Sequence, residues 1–340
     1  MSRRATQRDV AKRARVSPAT VSYIVNNRTE GNIRVSEDTR QRVLDAIQEL
    51  RYLPDITARG LSTRRTQLLA LLLPDITDPL DSLVFRGAQS ITEVQGYDLM
   101  VYDLHSQVQR EQKFLNAVMR RRVEGVILVN TFTTSQVVQK LKEAGIQVAI
   151  VGPSPAVKGV DRVVLDELDG VLQVMEHLFE RGRTRIAFLG GPQSWQIGRD
   201  RKLGYERSLQ KLGLRYDEKL VREGNFERGG TAGQVKSLFG NGPRQNFPTA
   251  LFCANDSMAI EAVGTLIKMG FNVPEDVAVA GFGNFPQAEM MIPALTSIGF
   301  NALQMGEAAA SFLLERLESE NELKGRNKIL TGKLIIRETT

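Results

Sequence analysis

The chain of 340 residues holds one cysteine, Cys253, and two histidines, His105 and His177. A single thiol excludes an intramolecular disulfide framework, and so few imidazoles leave no Cys/His cluster of metal-ligand spacing. Long apolar runs are missing too. The longest, such as Leu68 to Pro74, fall far short of the roughly 20 residues that span a bilayer. Ser2, Arg3 and Arg4 are followed by polar residues rather than an apolar segment, so no secretory signal is read there. No G-x-x-x-x-G-K-[ST] phosphate loop or G-x-S-x-G elbow occurs, and Leu189-Gly190-Gly191-Pro192 lacks the spacing of a dinucleotide site. Cys253 sits in an apolar strand pattern, where a thiol is a core side chain rather than a nucleophile. The expectation is a cytoplasmic, soluble protein with no catalytic residues, no metal, no cofactor and no membrane segment.

What the chain does have is positive charge in one place. Residues 1–66 carry 14 Lys and Arg against 7 Asp and Glu, while the rest of the chain holds 31 against 32. A basic module beside a near-neutral body is the footprint of a nucleic-acid reader, because each cation placed on a phosphate releases condensed counterions. Within that module Thr6 followed by Asp9 forms a capping-box pattern, and Val10, Ala11 and Ala14 recur at helical spacing, so a helix is expected over Gln7 to Ala14. Ser17 can cap a second helix that has Pro18 in its first turn. Val10, Ala14, Val16, Val21 and Val25 would hold the pair together, leaving Pro18, Ala19, Ser22 and Tyr23 outward. Ser36, Glu37 and Asp38 open a third helix whose Val43, Leu44, Ile47 and Leu50 stand at core spacing. On pattern alone a helical cap on the larger body is the alternative; the charge favours a DNA reader.

Several short motifs occur together: Asp9-Val10-Ala11, Val16-Ser17, Thr20-Val21-Ser22, Asn26-Asn27, Val35-Ser36-Glu37 and Thr39-Arg40. In order and near spacing they resemble the lac repressor family of bacterial transcription regulators. The resemblance implies that Pro18, Ala19 and Tyr23 read base edges, with Thr20, Ser22 and Asn26 on phosphates and Thr6, Ser17, Arg28 and Tyr52 also at the DNA. Pro18 and Ala19 offer only apolar contact, suited to a thymine methyl, whereas Tyr23 can make one hydrogen bond. Packing of Tyr23 against the first helix is the alternative for that residue.

Tyr52-Leu53-Pro54 ends the third helix, and Asp55 can cap a short stretch from Ile56 to Ser62. This stretch resembles the family's hinge helix. Leu61 then stands where a leucine wedges into the minor groove, with Ala58 as its small neighbour, and such a wedge bends the duplex. Asp55 replaces the usual asparagine. The domains expected are 1–53 for DNA binding, 54–66 as hinge helix and linker, and 67–340 as effector and dimerisation body.

From Leu68 onward, apolar runs alternate with helical segments: LLALLLP, YDLMVYD, GVILVN and VAIVG, then RIAFLGG, TALFCAND and VAVAGFG. Such alternation implies parallel sheets buried on both faces, and two series imply two Rossmann-like lobes with a cleft at the strands' carboxyl ends. The expected fold is thus a small all-α helix-turn-helix headpiece plus an α/β two-lobed body. PDITDP, VVLDELDG, the segment around Arg201, Ala254-Asn255-Asp256, PEDVAVAGF and PALTSI resemble the effector domain of the same family, related to periplasmic sugar-binding proteins. The resemblance implies a clamping arginine at Arg201, a hydrogen-bonding asparagine at Asn255 and a stacking aromatic at Phe226, with Asp78, Arg199, Gly283 and Phe300 also at the effector.

Two carboxylates usual in the family are absent, at Gly152 and Gly283, and Leu80 stands where an aromatic is usual. With Arg201 and Arg199 kept, the balance shifts towards an anionic effector such as a sugar acid or sugar phosphate. A neutral sugar read by other groups is the equal alternative, and a member without effector is a third. The expected partners are pseudo-palindromic double-stranded operator DNA, a small-molecule effector and a second copy of the chain. No heptad tail follows Leu334 to Thr340, so a homodimer rather than a tailed tetramer is expected. The function implied is transcriptional regulation, most simply repression of carbohydrate or sugar-acid genes. A soluble sugar-binding module or carbohydrate enzyme with an incidental basic head stays open as a different class.

Overall fold

A computed structural model describes residues 5–25, 35–52, 65–105, 107, 110–129, 135–153, 157–227, 229–240, 243–321 and 323–340. The chain forms two compact units, 1–66 and 67–340.

In the first unit, helices α1 (Gln7–Ala14), α2 (Pro18–Val25) and α3 (Glu37–Glu49) surround a small core of Val10, Ala11, Ala14, Val21, Ile24, Val43 and Ala46. The helix starts fall where the caps place them. Thr6 and Asp9 make the reciprocal capping box, Ser36 caps α3 through Thr39 N, and Ser17 Oγ accepts from Thr20 N at 3.1 Å. Two details differ from the sequence reading. Ile24 rather than Val25 is buried, and Leu44 is 43% exposed because its helix turns Val43 and Ala46 inward instead.

The second unit holds two six-stranded sheets. The first has strand order β11-β5-β4-β3-β1-β2, from β1 (Leu68–Leu73), β2 (Asp98–Asp103), β3 (Gly125–Val129), β4 (Gln147–Val151), β5 (Asp161–Leu165) and β11 (Asn327–Leu330). The second has order β12-β10-β9-β8-β6-β7, from β6 (Ile186–Gly190), β7 (Val221–Glu223), β8 (Ala250–Cys253), β9 (Ala278–Phe282), β10 (Thr296–Gly299) and β12 (Lys333–Ile335). Every pairing is parallel except β10 with β12. Strands β1, β3, β4, β6, β8 and β9 are buried almost throughout, as parallel strands covered on both faces must be.

The helices are α4 (Pro79–Val94), α5 (Arg110–Arg121), α6 (Ser135–Glu143), α7 (Glu167–Glu180), α8 (Gln196–Lys211), α9 (Ala232–Phe239), α10 (Asp256–Lys268), α11 (Pro286–Met290) and α12 (Ala302–Glu318). Helix α4 begins at Pro79, straight after its cap Asp78. Asp78 accepts hydrogen bonds from Leu80 N and Asp81 N, and Pro79 is compatible with the first turn.

The chain passes between the sheets three times: from β5 into α7, from β10 into α12, and from β11 into β12. Neither lobe is therefore a continuous stretch of sequence, contrary to what two successive apolar series suggest. Helix α12 returns to the first lobe and packs on α4, backbone against backbone. A Cβ at Gly87 would run into the Leu303 carbonyl, and one at Gly306 into the Val84 carbonyl. Both helices bring residues of their amino-terminal ends, Leu80 and Asp81 of α4 and Ala302 and Met305 of α12, to one cavity.

Candidate functional site

On the headpiece, Ser17, Pro18 and Ala19 are exposed, whereas Thr20, Ser22 and Tyr23 are half-buried. The hydroxyls of Ser17 and Thr20 lie 2.9 Å apart, and Gln7 Nε2 donates to the Pro18 carbonyl at 2.9 Å, fixing α2 against α1. Thr6 is committed to its capping box, with Asp9 Oδ2 accepting from both Thr6 N and Oγ1. Tyr52 packs half-buried on the three-helix core. Asn26, Arg28, Ala58 and Leu61 lie outside the described residues.

Between the lobes of the second unit is a cavity of about 450 Å³. The first lobe gives it the turn after β1, with Asp75, Thr77 and Asp78, and the start of α4, with Leu80, Asp81 and Val84. Trp195, Ile197 and Arg201 come from the segment leading into α8 and from the helix itself, Asn225 and Phe226 from the loop after β7, and Asn255 and Ser257 from the start of α10. Phe282, Phe285, Phe300 and Met305 close the remaining walls. Every element contributes at its strand-carboxyl or helix-amino end, where open parallel sheets bind ligands.

Asp78, Arg201, Phe226, Asn255 and Phe300 thus line one cavity, together with Leu80 and Gly152. Arg199 does not: it is exposed, and its guanidinium donates to the Gln193 carbonyl and Gln196 Oε1 at 2.7 Å each, because two residues along a helix from Arg201 is the opposite face. Gly283 is also absent from the lining. It has φ +130°, and a Cβ there would stand 2.8 Å from the Phe285 ring and 3.3 Å from Leu80, so these two side chains fill the space of the missing carboxylate.

Several wall residues escaped the sequence reading. Trp195 faces Phe226 with ring centroids 5.9 Å apart, and Phe282 lies under the Arg201 guanidinium at 3.9 Å. Phe226 itself has φ +65°, a conformation rare for a bulky residue, and Asn255 holds it there by donating from Nδ2 to the Phe226 carbonyl at 2.9 Å. Asn255 Oδ1 meanwhile caps α10 through Met258 N at 3.0 Å. Asn255 therefore builds the aromatic wall as well as lining the cavity.

Arg201 is only 4% exposed, and its Nε donates to Glu167 Oε2 at 2.8 Å while the Ala254 carbonyl accepts from Nη1. Glu167, the first residue of α7, carries no motif of its own in the sequence. Burial pushes the Glu167 carboxyl above its ordinary value and Arg201 opposes this. Burial likewise raises Asp78, against the hydrogen bonds from Leu80 N and Asp81 N. Of the two cations on which an anionic effector is argued, Arg201 is therefore paired with Glu167 and Arg199 lies away from the cavity, which removes that support for a sugar acid or sugar phosphate.

The headpiece geometry and the two-lobed cleft each have a counterpart among known proteins. Residues 6–55 match the bacterial regulatory proteins of the lacI family, and residues 175–340 match the periplasmic binding protein-like domain. The HTH-type transcriptional regulator RegA of Clostridium saccharobutylicum is 30% identical over 335 residues, 98% of each chain. This chain belongs to the lacI family. Another relative, the HTH-type transcriptional repressor PurR of Vibrio vulnificus, is 30% identical over 98% of each chain. Among solved structures, the lac repressor dimer bound to operator and the anti-inducer ONPF superposes with TM-score 0.87 at 26% identity, covering 99% of both chains. The regulator CelR in complex with cellobiose gives 0.74 at 30% identity, covering 99% of this chain and all of the other. This lacI-family member is accordingly a DNA-binding transcriptional regulator with an effector-binding body, not an enzyme.

Proposed function

We propose that this regulator is a repressor that binds a pseudo-palindromic operator as a homodimer and responds to a sugar-sized effector in the cleft. The observation that carries the effector half is the pairing of wall types in one cavity of about 450 Å³: the rings of Trp195 and Phe226 on one lobe and the carboxylates of Asp75 and Asp78 on the other. A sugar presents an apolar face and a rim of hydroxyls, which suits stacking on one side and donation to carboxylates on the other. A neighbour of 30% identity holds cellobiose.

The operator half rests on the exposed Ser17-Pro18-Ala19 edge of α2 with Tyr23 beside it, and on a basic first unit. In a bacterial cell such a regulator acts in the cytoplasm. Effector binding would shift the population of lobe arrangements and, through the hinge expected over residues 54–66, of DNA-competent headpieces. The test is to sequence the duplexes that the purified full chain retains from a random pool, with and without cellobiose and related neutral sugars. A two-fold-related consensus whose retention changes with a sugar is expected. Retention without two-fold symmetry overturns the dimeric-operator reading, and retention indifferent to every sugar overturns the effector reading.

A further inference from the structure

The cavity is unevenly charged. Among its described lining residues Asp75, Asp78, Asp81, Glu167 and Glu227 are acidic and Arg201 alone is basic. Of these, Glu167 and Arg201 are both deeply buried, with side-chain exposures of 7% and 5%. Phe282 covers one face of the guanidinium, and the Ala254 carbonyl takes another of its donors. An acidic ligand reaching for Arg201 would meet a guanidinium already paired with the Glu167 carboxylate through a charge-assisted bond of 2.8 Å.

We propose that Glu167 is the charge-selecting residue of this cleft: it occupies the guanidinium as a resident anion and thereby excludes anionic effectors. The proposal rests on the cleft being the effector site and adds the class of molecule it refuses. Sugar acids and phosphorylated sugars are turned away because their anionic group finds Arg201 already neutralised and Asp75, Asp78 and Asp81 across the cavity. Uncharged hydroxyls meet no such opposition, since a carboxylate accepts from them. The role belongs to Glu167 through its position at the first turn of α7, where the chain has just left β5 of the first lobe.

The test uses inorganic sulfate as a bare anionic probe on the full chain at constant ionic strength. The basic headpiece also attracts sulfate, so the readout is the emission of Trp195, the one tryptophan of the sequence and a wall of the cavity. The wild-type chain is expected to show no saturable change. Glu167→Gln, which keeps the shape and removes the charge, is expected to gain saturable binding at least about tenfold tighter than any seen in wild type. The double variant Glu167→Gln with Arg201→Gln is expected to lose that gain, which pins it to the guanidinium. Glu167→Asn provides a second uncharged replacement should circular dichroism show that the glutamine variant does not fold. Saturable sulfate binding by the wild-type cavity, or none in a folded uncharged variant, overturns the proposal. Either result leaves the effector reading standing, because that reading depends on sugar-dependent operator retention.

Discussion

Asp256 shows how a single side chain can hold a cavity wall at a cost to stability. It is fully buried at the start of α10, where it accepts from Ser297 Oγ at 2.6 Å and from Phe285 N at 2.7 Å, so it fastens the loop bearing Phe285 to β10. Burial pushes its carboxyl up to about 6 from 3.8, against the pull of those hydrogen bonds and of Arg201 and Arg337. The folded chain therefore binds this proton more tightly than the unfolded chain does. The group's contribution is most favourable below its unfolded value, declines as pH rises towards about 6 and stays low above it. Asp256→Asn can still accept from Phe285 N while Ser297 turns to accept, and it carries no charge to desolvate. Relative to wild type, its stability should rise by up to about 3 kcal/mol between pH 4 and 6. Urea unfolding of both proteins across that range checks this, and an offset independent of pH would contradict it. At the other unit, Tyr23→Phe should change which base is preferred at one operator position, read by sequencing retained duplexes; equal weakening on all sequences would make Tyr23 a packing residue.

At the scale of elements, two fastenings decide whether the cleft keeps its shape. Gly306 lets α12 lie on the backbone of α4, so Gly306→Leu should force the helices apart and cost at least about 1–3 kcal/mol, visible as a lowered urea midpoint. The second is Asp161 on β5, fully buried and gripped by Arg316 of α12 at 2.6 and 2.9 Å and by Arg326 beside β11 at 2.9 Å. Burial works against its charge, yet the bonds from Arg316 and then Arg326 win and hold the carboxyl down to about 2. Its stabilisation is thus present above the ordinary carboxylate value and is lost as pH falls through about 2. Asp161→Ala leaves two arginines facing each other, one of them buried, and should cost about 3–5 kcal/mol in the same unfolding experiment at pH 7.

The elements themselves were unevenly legible in the sequence. Helix starts at Thr6, Ser17 and Ser36 could be read because a cap is a local bond, and strands such as LLALLL could be read because burial on both faces leaves an apolar run. Strands β11 and β12 could not. NKIL and KLI are short and not fully buried, and their place is set by partners about 165 and 36 residues away in sequence. The cleft divided the same way: Arg201, Phe226 and Asn255 could be named by resemblance, whereas Glu167 has no local signal and meets Arg201 only through the fold, 34 residues away in sequence.

For the whole molecule, charge and connectivity set the testable behaviour. The excess of cations in residues 1–66 implies that operator affinity falls linearly with salt on logarithmic axes. Fluorescence anisotropy between 50 and 200 mM salt should show a loss of about 10³–10⁵ if the dimer neutralises about 6–10 phosphates. A nearly flat profile would show that the basic module does not lie on DNA.

The three passages between lobes also bear on how the molecule is made. Residues 327–330 complete the first sheet and residues 333–335 the second, so both sheets wait for nearly the same stretch of chain. On a ribosome that works from the amino end, the headpiece emerges early and can fold by itself around its seven-residue core. Both halves of the effector cleft, by contrast, lack an edge strand until translation reaches the 330s. A nascent chain therefore holds its headpiece before it holds a complete cleft, and both lobes gain their edge strands in a single late step.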